Sequence, residues 1–220
     1  MKHAFATRRF FACFFAALGV FALNGQLSRQ SDTVAVLTEA LRGELHAHQA
    51  YLAYSKKAVE EKYVRIGELF TALAVSEAIH ARNFSASLAK LGAPSSVDVP
   101  EITVSDTRTN LKNATENELQ EIDVKYPAFI KRVTAEGQDA AAKGITYAWQ
   151  AEKQHRDLVT RLQMGASSMF GLVVKSVEGT KVTYYVCKVC GSTLIELPKF
   201  SCPNCGNPVS NYTLVEGAGP

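Results

Sequence analysis

The sequence predicts a mainly helical protein: a four-helix bundle followed by a small β module organised around a metal. Three observations predict it. Apolar residues recur at helical spacing from Val34 to Leu162, in a stretch rich in Ala, Leu, Glu and Lys. Beyond Gly165 the pattern turns β-rich, with Gly and Pro at turns. Four of the five cysteines crowd into that same tail.

The chain has 220 residues, 47% apolar and 20% charged, which excludes a disordered polar chain and a polytopic membrane protein. Its formal charge of +3 is carried by the opening segment, where Lys2, Arg8 and Arg9 face no acid. Without them the charges balance, so nothing pulls the protein toward nucleic acid or anionic lipid, and no nucleic-acid partner is expected.

Residues 1–25 read as a signal peptide: a basic start, an apolar run from Phe10 to Leu23, then Asn24, Gly25 and Gln26. The run is shorter than the roughly 20 residues a membrane span needs. Thr7-Arg8-Arg9-Phe10-Phe11 resembles a twin-arginine signal, which implies export, to the periplasm, of a folded protein with its thiols already on metal; the alternative is a general secretory signal in which the two arginines are coincidental. If the segment is not a working signal, the protein stays cytoplasmic.

The bundle is expected over 28–165. Ser31 or Asp32 is placed to cap a first helix running to about Glu60. A second follows from about Tyr63 to Leu91 and stops at Gly92-Ala93-Pro94; residues 93–106 form a crossover loop. A third spans roughly Thr107–Glu136, interrupted or kinked at Pro127, and a fourth runs from Gly137 to about Gln163. Four long helices with one long middle connection fit a ferritin-like bundle. Residues 166–181 read as a linker, with Leu172-Val173-Val174 β-rich, and 182–216 as the module. A module of that size buries too little apolar surface to fold unaided.

Each helix's apolar stripe is interrupted at mid-height. The second reads Ile66, Leu69, Leu73, Glu77, His80, Phe84, Leu88; the fourth reads Ile145, Trp149, Glu152, His155, Val159, Leu162. Both put a Glu-x-x-His pair into a buried face, three residues apart and so adjacent. The first helix puts Glu44 at the same height, between Leu41 and Tyr51, and the third adds Glu118 and Glu121. Buried carboxylates cost several kcal/mol each when isolated, and a pair of metal ions offsets that cost. One Glu from each of two helices plus Glu-x-x-His from the other two is the dimetal carboxylate pattern. His46 and His48 read as solvated groups or as partners of the ligands. Tyr51 and Tyr126 are candidate hydrogen-bond or redox partners near the metals. Glu68, Glu116 and Glu136 read as solvated helix charges, and Trp149 as core.

Cys187-Lys-Val-Cys190-Gly and Cys202-Pro-Asn-Cys205-Gly form two Cys-x-x-Cys knuckles. Backbone amides of such knuckles point at sulfur, and four thiolates make a tetrahedral site for iron or zinc.

At these residues the chain resembles rubrerythrin, from about Val34 to Val215. The matching motifs are Gly43-Glu44 with Tyr51, Glu77-x-x-His80, Glu118-x-x-Glu121 ahead of Tyr126-Pro127, Glu152-x-x-His155, and both knuckles with Tyr184-Tyr185-Val186 before the first. The resemblance implies a ferritin-like di-iron domain joined to a rubredoxin-like domain whose cysteines hold one iron. It implies that Glu77 and Glu152 bridge the irons and His155 holds one of them. Glu44 and Glu118 are then terminal ligands, while Glu121 and His80 exchange at the other iron with oxidation state. It further implies a peroxidase that reduces hydrogen peroxide to water in oxidative-stress defence, with Glu44, Glu77, His80, Glu118, Glu121, Tyr126, Glu152 and His155 as its catalytic residues. Electrons would come from an external donor, a reductase or a rubredoxin, and the assembly would be a head-to-tail homodimer. The rivals are a ferritin-like iron oxidiser or store, and a di-iron oxidase with a structural zinc ribbon; the ligand set also permits manganese.

Overall fold

The computed structural model describes residues 16–163, 178–179 and 181–216. The first fifteen residues of the expected signal, and most of the expected linker with Leu172-Val173-Val174, lie outside them. Helix α1 runs Ala16–Glu60, α2 Val64–Lys90, α3 Thr107–Gln120, α4 Tyr126–Ala135 and α5 Asp139–Gln163. Because α1 starts at Ala16, neither Ser31 nor Asp32 caps it. Asp32 instead pairs with Arg132 on α4.

The other boundaries follow local chemistry. Gly92, at φ +70, ends α2 in a left-handed cap: its own amide donates to the Ala89 carbonyl and that of Ala93 to Leu88. Residues 93–106 cross to the far end of the bundle without regular structure. There the Asp106 side chain accepts from the Thr109 amide at 2.9 Å and starts α3.

The third helix is interrupted, just ahead of Pro127. Glu121–Lys125 is a π-helical turn joining α3 to α4. Pro127 has no N–H, so a carbonyl just before it loses its donor. The Tyr126 amide bonds back to the Glu121 carbonyl, and the Ile122 carbonyl accepts from the Trp149 indole N–H at 2.9 Å. Trp149 is therefore half-buried with a bonding task, rather than plain core. At 100° per residue, Tyr126 would sit about 80° around an ideal helix from Glu118; the extra residue of a π turn brings them to within about 20°. Both consequently face the bundle interior, where each is about 2% exposed or less.

The apolar core is in two halves. One gathers Tyr51, Tyr54, Leu69, Phe70, Leu73, Leu111 and Val159; the other gathers Leu37, Leu41, Phe84, Leu88, Phe129, Val133 and Ile145. Along α1, α2 and α5 the switch between halves falls at Glu44, at Glu77–His80 and at Glu152–His155.

The module is a three-stranded antiparallel sheet in the order β2-β1-β3, with β1 Tyr184–Cys187, β2 Thr193–Leu194 and β3 Tyr212–Val215. Its own core is little more than Cys187, Cys190 and Cys202. None of the described helices is long and apolar enough to cross a membrane.

Candidate metal centres

Glu44, Glu77, His80, Glu118, Glu152 and His155 are each no more than 3% exposed. They form two overlapping sets whose donor atoms lie within 4.8 Å of one another: Glu44, Glu77, His80 and Glu152, and then Glu77, Glu118, Glu152 and His155. Glu77 and Glu152 belong to both. The His80 and His155 rings lie 6.0 Å apart, near parallel. The π-turn's Glu121 is buried but outside both sets; it pairs with Lys125 at 3.5 Å. At this position the structure brings in His80 and leaves Glu121 at the edge.

The ring orientations decide what these groups hold. The His80 Nε2 faces the Cys190 carbonyl at 3.1 Å, and a carbonyl only accepts, so Nε2 carries a proton. The Nδ1 of each ring is turned on the carboxylates: His80 to Glu77 and Glu152 at 3.0 Å, His155 to Glu152 at 2.8 Å and Glu77 at 3.1 Å. Meanwhile the Glu118 Oε2 oxygen is buried with no hydrogen bond, and Glu77 Oε1 and Glu152 Oε1 are buried with a histidine Nδ1 beside each. Carboxylate oxygens gathered around two Nδ1 atoms are what a pair of cations needs.

Without metal, protons do that work. Burial pulls both histidines down, but the carboxylates more than reverse it, leaving His80 well above its usual range and His155 at about 10. Burial pushes Glu44 and Glu118 well up, and Glu121 to about 8. Glu77 and Glu152 are also driven upward by burial, but the histidines hold them below the usual carboxylate value. Each outer carboxylate has a tyrosine: Tyr51 donates to Glu118 at 2.5 Å and Tyr126 donates to Glu44. Burial first, then those carboxylates, keep both phenols protonated.

At the other centre all four cysteines are free thiols. Cys187 and Cys205 sulfurs are 3.8 Å apart, and Cys190 and Cys202 sulfurs 3.6 Å. With metal–sulfur bonds near 2.3 Å, the edge of a tetrahedron is about 3.8 Å, so the site has metal spacing and not disulfide spacing. As expected of knuckles, backbone amides of Val189 and Cys190 point at Cys187 and that of Asn207 at Cys205. The Tyr212 hydroxyl and Asn207 amide add bonds to Cys202 and Cys205, each at 3.2 Å.

The two centres touch. Four successive carbonyls of the first knuckle accept from α2: Lys188 from Arg82, Val189 from Asn83, Cys190 from His80 and Gly191 from Ser76. On α5, Gln154 accepts from the Thr193 amide at 3.0 Å, and Tyr147 accepts from Asn204 at 2.8 Å. Gly191 sits at φ +77, where a Cβ would press on the His80 ring and lie 2.7 Å from the Ser76 hydroxyl.

The Rubrerythrin family profile matches residues 35–163. The chain belongs to the rubrerythrin family. It is 34% identical to Rubrerythrin-2 of Clostridium acetobutylicum over 179 residues, covering 81% of this chain and 94% of that protein. Nigerythrin in its partially reduced state superposes with a TM-score of 0.70 at 27% identity, covering 83% of this chain and 86% of the other. A bacterioferritin of Desulfovibrio desulfuricans, at TM-score 0.66 and 18% identity over 70% of this chain and 91% of that one, shares the fold. As a rubrerythrin, the chain is a di-iron protein with a rubredoxin-like module, and its cofactors are two non-haem irons and a four-cysteine iron.

Several sequence-based assignments need amendment. Glu136 is no free surface charge; it accepts from the Thr33 backbone amide and hydroxyl. Glu68 is only 14% exposed and pairs with Arg65 at 2.6 Å. Glu116 is exposed, as expected, and faces Lys112. The expected hydrogen-bonding role of His48 is with the Ala74 carbonyl, at 2.7 Å, and not with a ligand. His46 is half-buried and held below its usual range, first by burial and then by Lys125. The docking side chains Ser76, Arg82, Asn83, Gln154 and Thr193 carry no signal in the sequence, because their partners lie 39 residues or more away. Only Gly191, following a knuckle, marks a close approach.

Proposed function

We propose that the protein is a peroxidase that reduces hydrogen peroxide to water with electrons relayed through the four-cysteine centre. The observation that carries this reading is the bond from the His80 Nε2–H to the Cys190 carbonyl, which ties a ligand of one centre to a ligand of the other. Iron storage needs no such link, and a zinc ribbon gains nothing from it. A cavity of about 20 Å³ opens between α1 and the π turn, lined by Gly43, Glu44, Glu121, Lys125, Tyr126 and Phe129. It has room for a molecule the size of water or peroxide.

In this reading Glu77 and Glu152 would be ligands shared by the two metals, with Glu44 and Glu118 as ligands of one metal each. His80 and His155 would bind through Nδ1, and Glu121, buried at the edge of the cluster, would be the ligand that alternates with His80. Two irons held there would supply the two electrons for O–O cleavage, and an iron on the four cysteines would supply one-electron transfer. Tyr126 lines the cavity and its hydroxyl donates to Glu44, where it orients that carboxylate and holds a proton beside the entering oxidant. Tyr51 holds Glu118 in the same way from the far half of the core. The two core halves exclude bulk water from both sides.

The donor is an external reductase or rubredoxin. The assembly is a head-to-tail dimer in which a module meets the partner's bundle through the surfaces that pack within one chain here. The basic and apolar opening segment supports export, and Arg8-Arg9 supports the twin-arginine route over a general secretory one; cleavage near residue 25 would leave α1 starting close to Gln26. The reading is tested with Glu77→Ala. Peroxide consumption is expected to vanish while the iron–thiolate absorption stays; consumption at the parent rate refutes it. Sizing of the purified protein separates the dimer from a ferritin-type cage.

A further inference from the structure

The second metal-site histidine has its own contact with the module. His155 Nε2 lies 3.2 Å from the Thr193 hydroxyl, and both residues are no more than 1% exposed. The Thr193 hydroxyl has one proton, and it goes to the Gly191 carbonyl at 2.9 Å. That carbonyl also accepts from Ser76 at 2.6 Å, so its two lone pairs are used. Toward His155 the hydroxyl therefore has only a lone pair to offer, and the ring must donate. The backbone of Thr193 is fixed separately, through its amide on Gln154 one residue from His155. Residues 190–193 thus grip both histidines from the side away from the carboxylates, one by a carbonyl and the other by a hydroxyl.

We propose that Thr193 is a positioning residue for the metal half-site formed by Glu118, Glu152, Glu77 and His155. By accepting from Nε2–H it holds the His155 ring in the tautomer that leaves the Nδ1 lone pair for a cation, and fixes the ring plane. Partners of this kind set a ligand's orientation and basicity, and their loss costs ~10–100-fold in metal affinity. The inference rests on the metal-site reading of the cluster above, but not on the peroxidase reading, because no oxidant enters its test.

The test uses the full chain with one equivalent of zinc, which the four thiolates take first, followed by cobalt(II) titration of the bundle site by its visible d–d bands. Thr193→Val keeps the side chain's shape and the backbone bond to Gln154 but removes the acceptor. One of the two cobalt steps is expected to weaken ~10–100-fold, with the other within about twofold, and Thr193→Ser is expected to restore it. In the ¹⁵N-histidine spectrum of the zinc-loaded protein, one protected Nε2–H signal should disappear in the Val variant and return in the Ser variant. Two unchanged steps with both ring signals intact overturn the proposal. Equal weakening of both steps also overturns it, since Thr193 would then act only by holding the module in place.

Discussion

The two metal centres solve opposite problems. At the cysteine centre the protein donates: backbone amides, Tyr212 and Asn207 all point at sulfur, and the sulfurs already stand at tetrahedral spacing. At the bundle centre the protein relies on protons. The histidine Nδ1 atoms and two tyrosines face the carboxylates, and Glu118 Oε2 is left without a donor. Protons on the histidines and the outer glutamates hold the charge. A site rich in donors spreads the charge of four thiolates and steadies one metal through a single-electron change. A site short of donors is stabilised by whatever cation occupies it, which suits metals that change charge during turnover.

The comparison breaks most sharply when each centre loses a ligand. Cys190→Ser should leave the module unfolded, since its core is the cysteines themselves and a metal at such a site contributes on the order of 10 kcal/mol. Loss of amide protection over 184–215 with the bundle amides retained checks this in hydrogen exchange. Gly191→Ala should act next, through the contact between centres. Its left-handed backbone and the clash with His80 and Ser76 each cost roughly 1–3 kcal/mol, and the module should dissociate from α2 while keeping its thiolate band. Undocking is seen as new exposure of Asn83 and Gln154 amide groups by NMR.

Acid and base should move the two forms of the bundle in opposite directions. In the metal-free protein His155 titrates at about 10 and Glu121 at about 8, both above their unfolded values. The folded state therefore binds more protons than the unfolded one across that window. Stability from His155 is full below about 6.5 and fades as pH rises through 10, and ionising Glu121 adds to the loss above about 4.5. Metal must displace the Nδ1 protons, so metal affinity rises over the same range. Melting of the metal-free protein should thus fall from pH 5 to 10 as metal affinity climbs. Tyr126→Phe is the gentlest change. It removes one hydrogen bond to Glu44, about 1.5–3 kcal/mol for a charged acceptor, and should slow the reaction with peroxide without releasing metal.

The bundle centre was legible in the sequence because its ligands interrupt a periodic apolar stripe, and a helix converts spacing into shared facing. The knuckles were legible because four thiols at fixed spacing have few other uses. Contacts between centres were not legible: Ser76 with Gly191 and His155 with Thr193 join elements far apart in the chain, and Ser and Thr are common everywhere. The π turn was half legible. Pro127 announces a disturbance, but the extra residue in the turn, and the indole that takes the freed carbonyl, depend on α5 being alongside. The early start of α1 was hidden because its first turns read equally well as the apolar run of a leader.

Metal content per chain, measured together with the visible spectrum as peroxide is added to the reduced protein, bears most directly on the paired-centre account. Three irons per chain, with a thiolate–iron band that appears on oxidation and fades again when a reductant is supplied, is the predicted result. Two irons with a zinc at the cysteines, and no visible band that follows the peroxide, would contradict it.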